Sequence, residues 1–517
     1  MQLRTLVAAI CLTFRLAVGA LGRANVVGYY PNWIAMPTLD FTKYTHVNFA
    51  FAIPTASGSL SYDNQAAMPG IVTNLHAAGT LAIISIGGWT GSGLFSSILK
   101  STTSRAAFLG NIVTYVKTYN LDGVDIDWEY PGRQGDTCNV YDANTDTSNF
   151  LAFLQDLRTQ LDTTFGSRSK LLTLAVRVEP FDGPSGPVSD VSAFAKIADY
   201  INLMTYDIAG VWNPTTSPNA PLQFAPGQRP QFSVGSAIDA WSGAGWPTGK
   251  MNLGIPFYGY AMTATQNMLQ NPSNMYAPIS ATAPQGDKDD TLYADPCSGG
   301  PAVYSGAWQW KHLRDQALLT APGTAALPWV RTWDSVTSTP WLFNPNTNTF
   351  ITYDDPQSIQ LKVNYAASKG LAGTMVWSMD MDYNGELLSV LQSFSSGNTT
   401  TTSTTSATSS SSATSSTASA TSNTSAISST LSTSQASSSA PTSSTLASTS
   451  SSTTSSSAGG PVSGAACSMA GTYQCADTTG KNANYYLCLY GKWISQSCGS
   501  GTACFQSGSS VTCGWPV

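Results

Sequence analysis

The run Asp122-Gly-Val-Asp-Ile-Asp-Trp-Glu-Tyr-Pro131 places four carboxylates within eight residues. On a strand, side chains alternate between faces. Asp125, Asp127 and Glu129 therefore share one face, and Val124, Ile126 and Trp128 share the other. Asp122 has the opposite parity and suits the strand entrance. Carboxylates stacked at roughly 6–7 Å spacing repel one another, and burial penalises each negative charge. Crowding of this kind pushes pKa values up and keeps a proton in the stack. A carboxyl group that stays protonated near neutral pH can act as a general acid. A metal-binding cluster or a satisfied polar core would use the same residue types. A hard cation, however, needs more oxygen ligands than one strand face offers, so no metal and no cofactor is expected.

Such a strand needs a frame. Short β-branched apolar runs occur at residues 26–30, 45–51, 81–86, 123–128, 171–178, 200–206, 251–257 and 373–377. Helix-like stretches, among them 104–119, 147–161 and 356–369, lie between them. Eight strands with helical crossovers predict an α/β fold, a (β/α)8 TIM barrel, over residues 24–395. A doubly wound open sheet is the competing arrangement. In the barrel, Glu129 is last on the fourth strand, at the C-terminal face where active sites of this fold open. Residues 261–350 are too long for a structureless loop. Their own patterning, at 308–318 and 350–353, predicts a small α+β insertion.

Composition narrows the partners. The net charge of −6 comes with no Lys/Arg run, which disfavours nucleic acid and anionic membranes. Only 10% of the 517 residues are charged, well below the usual quarter. A neutral substrate and a monomeric chain fit this balance. Arg4, the apolar stretch 6–12 and the small residues Val18-Gly19-Ala20 read as a signal peptide over 1–20, although Arg15 interrupts it. Secretion is therefore expected, with the product extracellular or wall-associated. No later segment has the length of a membrane span, and the chain ends without an apolar tail of the kind a lipid anchor needs. Residues 397–458, nearly all Ser, Thr and Ala, cannot bury enough apolar surface to fold and read as a disordered, O-glycosylated linker. Six cysteines, at 467, 475, 488, 498, 504 and 513, crowd the segment 461–517. That density predicts a three-disulfide scaffold, with fifteen pairings open. Cys138 and Cys297 lie in the larger N-terminal part.

The acidic run resembles the DxxDxDxE signature of family 18 glycoside hydrolases, and Trp128-Glu129-Tyr130-Pro131 is typical of its chitinases. Further matches follow in order: Tyr30-Pro31-Asn32-Trp33, Ser85-Ile-Gly-Gly-Trp89, Met204-Thr-Tyr-Asp207, Gly254-Ile-Pro-Phe-Tyr-Gly259, the stretch Ile351 to Ile359, and Val376-Trp-Ser378. The resemblance implies hydrolysis of β-1,4-linked N-acetylglucosamine in chitin or chitooligosaccharides. It implies a substrate-assisted, retaining route in which the sugar's own acetamido oxygen attacks the anomeric carbon. Glu129 would be the acid/base, Asp127 would bond the acetamido N–H, and Asp125 would hold a proton beneath Asp127. Tyr206 would bond the acetamido carbonyl, and Trp377 would floor the site beside Met204 and Asp207. Tyr30, Trp33, Trp89 and Tyr130 would contact sugars. The insertion resembles the cleft-wall subdomain of bacterial-type members, and residues 461–517 resemble a chitin-binding module of fungal chitinases. Two departures stand out: Tyr260 where many relatives have Arg, and Ser378 where an acidic residue often follows the Trp. His46, His76 and His312 match no motif and are expected to be structural. Two alternatives use the same frame: a non-catalytic chitin-binding lectin, and an endo-β-N-acetylglucosaminidase.

Overall fold

Eight parallel strands close on themselves: Asn25–Pro31, His46–Pro54, Leu81–Gly87, Gly123–Asp127, Leu171–Val176, Tyr200–Leu203, Met251–Pro256 and Gly373–Trp377. Each pairs with the next in chain order, and the eighth pairs with the first. The expected barrel is therefore formed, not the open sheet. This computed structural model describes residues 24–397 and parts of 465–514. The signal-peptide expectation falls outside the described residues, as does all but the first residue of the linker expectation.

The outward face of the fourth strand is apolar, as its alternation requires. Val124, Ile126 and Trp128 are buried beneath the crossover helices. Trp128 stacks on Phe95 at 5.3 Å and meets Phe150 edge-on at 5.3 Å. The helices Thr102–Thr118, Asp146–Phe165 and Pro356–Ser368 lie where the sequence predicts them. Asp355 caps the last of these in a reciprocal box with Ser358, and Pro356 occupies its first position. The first crossover is an exception, holding only a 3-10 turn at Phe41–Lys43.

The insertion is an antiparallel five-stranded sheet with short helices. Its strands run Ala307–Gln309, Tyr258–Thr263, Thr349–Thr352, Thr339–Asn344 and Val330–Asp334 across the sheet. It begins at Tyr258, almost directly after the seventh barrel strand, and so reaches a few residues beyond the 261–350 expected. The patterned stretch 308–318 divides into the strand Ala307–Gln309 and the helix Trp310–Asp315. Gly259 is what lets the strands Tyr258–Thr263 and Thr349–Thr352 approach. A Cβ there would stand 1.7 Å from the Thr352 carbonyl oxygen.

The C-terminal unit has a three-stranded antiparallel sheet, Tyr473–Cys475, Asn484–Leu489 and Lys492–Ser497. A hairpin of Ala503–Ser507 and Ser510–Gly514 follows. The Cys475–Cys504 disulfide joins the first strand to the hairpin and fixes one pair of the scaffold.

Gly259→Ala is expected to destabilise the N-terminal unit by about 1–3 kcal/mol through this backbone clash. A lowered midpoint in chemical denaturation followed by tryptophan fluorescence checks it.

Candidate active site

Register assembles the bottom of the site. Ser85, Asp125 and Thr173 are direct neighbours on strands three, four and five. All three side chains point inward, so hydroxyls flank the carboxylate. Asp125 accepts from Ser85 Oγ at 2.8 Å, Thr173 Oγ1 at 2.6 Å and the Tyr29 hydroxyl at 2.7 Å. Asn202 Nδ2 adds a longer contact at 3.5 Å. Burial raises the Asp125 pKa, and the bonds from Thr173, Tyr29 and Ser85 oppose the rise.

Asp127 sits one step higher and differs completely. It is buried, and among the described residues its Oδ1 has no hydrogen-bond partner. Burial, then the charges of Glu129 and Asp125, hold its pKa well above the usual carboxylate range. Its register partner on strand three is Gly87, whose φ is +114°. A Cβ at Gly87 would stand 2.1 Å from the Asp127 carbonyl oxygen. Gly87 and Gly88 thus serve close backbone approach, and Gly88 N–H donates to that same carbonyl at 2.8 Å.

Glu129 lies two residues beyond the end of its strand rather than last on it. Side chains from neighbouring loops replace the lost ladder. Ser92 Oγ accepts the Glu129 N–H at 2.8 Å, and Asn139 Nδ2 donates to the Glu129 carbonyl at 3.1 Å. Asn139 also donates to the Trp89 carbonyl at 2.8 Å. Burial pushes the Glu129 carboxyl up to about 7; a hydrogen bond from Tyr130 opposes this, and the Asp207 charge reinforces it. A carboxyl poised there can donate a proton and take one back at neutral pH.

These groups open into a cleft of about 490 Å³. Trp377 forms its base, stacked on Phe51 at 5.5 Å and 13°. Tyr206, Met204, Asp207 and Tyr258 line it beside Asp127 and Glu129. Asp207 accepts from the hydroxyls of Tyr258 at 2.6 Å and Tyr260 at 2.8 Å. Tyr260, in the place of the expected Arg, therefore braces Asp207. Trp33 and Trp89 are 61% and 50% exposed, available to flat apolar faces. A second arm of about 330 Å³ continues past Glu129 between Arg133, Arg177, Trp212 and Phe232.

Tyr30 is a correction. Strand alternation turns it outward into the helix-facing core, where its hydroxyl bonds the Ile34 carbonyl at 2.8 Å. Its neighbour Tyr29 is the one that faces the site. Sequence reasoning also missed Thr173, Asn202, Ser92, Asn139 and Trp212. Of these, Thr173 and Asn202 carried a signal, through their places on the inward parity of recognised strands. The histidines do not line the cleft. His46 packs on Tyr200, His76 pairs with Asp122 at 2.7 Å and His312 with Asp287 at 2.8 Å.

Comparison with known proteins agrees with this geometry. Residues 25–382 match the model of glycosyl hydrolases family 18. The chain belongs to that family. Residues 444–509 match a carbohydrate binding domain of family 19. A "chitinase-like effector" of Moniliophthora roreri is 35% identical over 72% of this chain and 93% of its own length. Chitinase A1 of Niallia circulans is 29% identical over 71% of this chain and 58% of its own length. Among solved structures, a chitinase from Rhizomucor miehei has a TM-score of 0.67 at 35% identity, covering 72% of this chain and 99% of that one. A mutant class V chitinase from Nicotiana tobaccum, in complex with NAG4, has a TM-score of 0.59 at 26% identity, covering 72% and 98%. This family 18 chain is thus a glycoside hydrolase of the chitinase class.

Removing the Asp207 charge should ease ionisation of Glu129 and lower its pKa. Asp207→Asn is therefore expected to move the basic limb of the pH profile to lower pH. A pH profile of kcat/KM on a fluorogenic chitobioside reads the shift.

Proposed function

We propose that this protein is a secreted chitinase that cleaves β-1,4-N-acetylglucosamine linkages with retention, using the substrate's acetamido group as nucleophile and Glu129 as acid/base. The observation that carries this reading is the contrast within the carboxylate stack. Glu129, with a pKa near 7, keeps a proton to give to the leaving oxygen. Asp127, buried with an unpartnered Oδ1, suits an acetamido N–H that arrives with the sugar and supplies the missing partner. Asp125, whose pKa burial raises, lies beneath it within reach of three hydroxyls and an amide and would hold a proton there, leaving Asp127 to carry the charge.

The steps follow from these positions. The reacting sugar rests over Trp377, and Tyr206 bonds the acetamido carbonyl. That oxygen forms a bond to the anomeric carbon as the glycosidic C–O bond breaks, and the Glu129 proton goes to the departing oxygen. Asp127 bonds the acetamido N–H and balances the positive oxazolinium. Glu129, now an anion, takes a proton from water as that water attacks the same carbon. The acetamido group leaves, and configuration is retained. Asp207, the other carboxyl facing this part of the cleft, is held by two tyrosine hydroxyls, which argues against a separate carboxylate nucleophile. The C-terminal carbohydrate-binding unit would hold the catalytic unit at a chitin surface and raise its effective concentration there.

A second reading is binding without turnover, motivated by relatives named "chitinase-like effector" from Moniliophthora roreri and Moniliophthora perniciosa. Chitohexaose separates the two. The native protein is expected to release β-anomers, and Glu129→Gln to lose about 10²–10⁴-fold in kcat while still binding. Retained binding with no hydrolysis by the native protein would establish the second reading instead.

A further inference from the structure

Cys138 and Cys297 form a disulfide across 159 residues of sequence, with Cα atoms 5.1 Å apart. Its two ends lie in segments attached to different lining residues of the cleft, Glu129 and Trp89 for one and Tyr258 for the other. Cys138 lies in the loop after the fourth barrel strand, beside Asn139, which bonds the Glu129 and Trp89 carbonyls. Cys297 lies in the subdomain inserted after the seventh strand, whose first strand carries Tyr258 and Tyr260.

The segment holding Cys297 is a built element. Asp290 closes its neck by accepting from the amides of Gly286 at 2.7 Å, Gly306 at 3.0 Å and Ser305 at 3.1 Å. Beyond the neck, Tyr293 and Val303 exchange both backbone hydrogen bonds at 3.0 Å. At the tip, Asp295 accepts from the amides of Cys297 at 2.8 Å and Ser298 at 3.1 Å. Residues 291–304 thus form a finger that presents Cys297 at its turn. Leu292, Tyr293 and Val303 stand exposed along it and give it an apolar face.

A floor, two walls and a covalent link between the walls make a closed ring. We propose that the Cys138–Cys297 bond closes such a ring around the substrate path, so that a long polymer enters by threading a chain end. An open cleft would instead let the chain settle sideways. The inference rests on the chitinase reading for the identity of the polymer and extends it to how that polymer is engaged. Hydrogen bonds alone would let the finger swing away in local opening, whereas the disulfide does not. Short oligosaccharides, which are all ends, enter regardless.

The test compares the native protein with Cys138→Ser/Cys297→Ser on soluble glycol chitin and on chitohexaose. The expected result is a several-fold larger fall in glycol chitin viscosity per reducing end released by the double variant, with chitohexaose turnover unchanged. Equal viscosity loss per bond cleaved overturns the ring. A matching fall in chitohexaose turnover also overturns it, because the bond would then act through Asn139 on Glu129 rather than on entry. Failure of the chitinase reading looks different: the native protein cleaves neither substrate. The ring is then read by binding in the Glu129→Gln background, where faster association with glycol chitin after removal of the disulfide supports it and an unchanged rate overturns it. Should the double variant misfold, Cys138→Ser with residues 292–303 replaced by a short Gly-Ser turn opens the same ring.

Discussion

Burying three carboxylates on one strand face is the constraint around which the rest of this barrel is arranged. Left alone, such a stack would protonate throughout, because each added charge is penalised by low dielectric and by its neighbours. The fold resolves this unevenly. Three hydroxyl donors go to the lowest member, Asp125, from register neighbours on both adjoining strands and Tyr29 on the first. None among the described residues goes to Asp127 Oδ1. Burial raises all three, with the lowest opposed by its hydroxyl donors, the middle raised further by its charged neighbours and the top poised near neutrality. Paired titratable groups pushed apart by environment are the physical signature of acid and base roles.

The same constraint explains the loops. A strand that ended in regular pairing at Glu129 would bury it in the ladder. Here the strand stops at Asp127, and Glu129 projects from backbone held by two side chains. Ser92 takes its N–H, Asn139 its carbonyl. Gly135 packs so close that a Cβ would stand 1.9 Å from that carbonyl oxygen. A carboxyl whose backbone is fixed from both sides has few ways to leave its position, and preorganisation of this kind is where much of a site's effectiveness lies.

Much of this was legible in residue order, for physical reasons. Strand alternation alone put Asp125, Asp127 and Glu129 on one face, and Val124, Ile126 and Trp128 under the helices. Eight spaced apolar runs carried the barrel. What alternation could not reveal is which residues on other strands stand beside them. Thr173 and Asn202 come next to Asp125 only through the register of strands far apart in sequence. Tyr30 shows the cost of reading a motif without its parity: it sits in a recognisable strand-end run, yet its neighbour Tyr29 has the inward face. The Cys138–Cys297 pair was equally hidden, since two cysteines in a long sequence do not announce their partners.

The insertion makes the last connection between fold and chemistry. Its first strand continues almost unbroken from the seventh barrel strand, and this brings Tyr258 and Tyr260 over the mouth. Their hydroxyls meet on one oxygen of Asp207, whose own backbone has a φ of +54° and whose N–H donates to Asn219 at 2.9 Å. Asp207 is one of the groups that raise the Glu129 pKa. The subdomain is therefore more than a wall. By holding Asp207 through two tyrosines, it fixes the distance between a negative charge and the acid, and so helps set the pH at which that acid still carries its proton. A cleft wall lacking those hydroxyls would leave Asp207 free to turn toward solvent, where its influence on Glu129 would be screened.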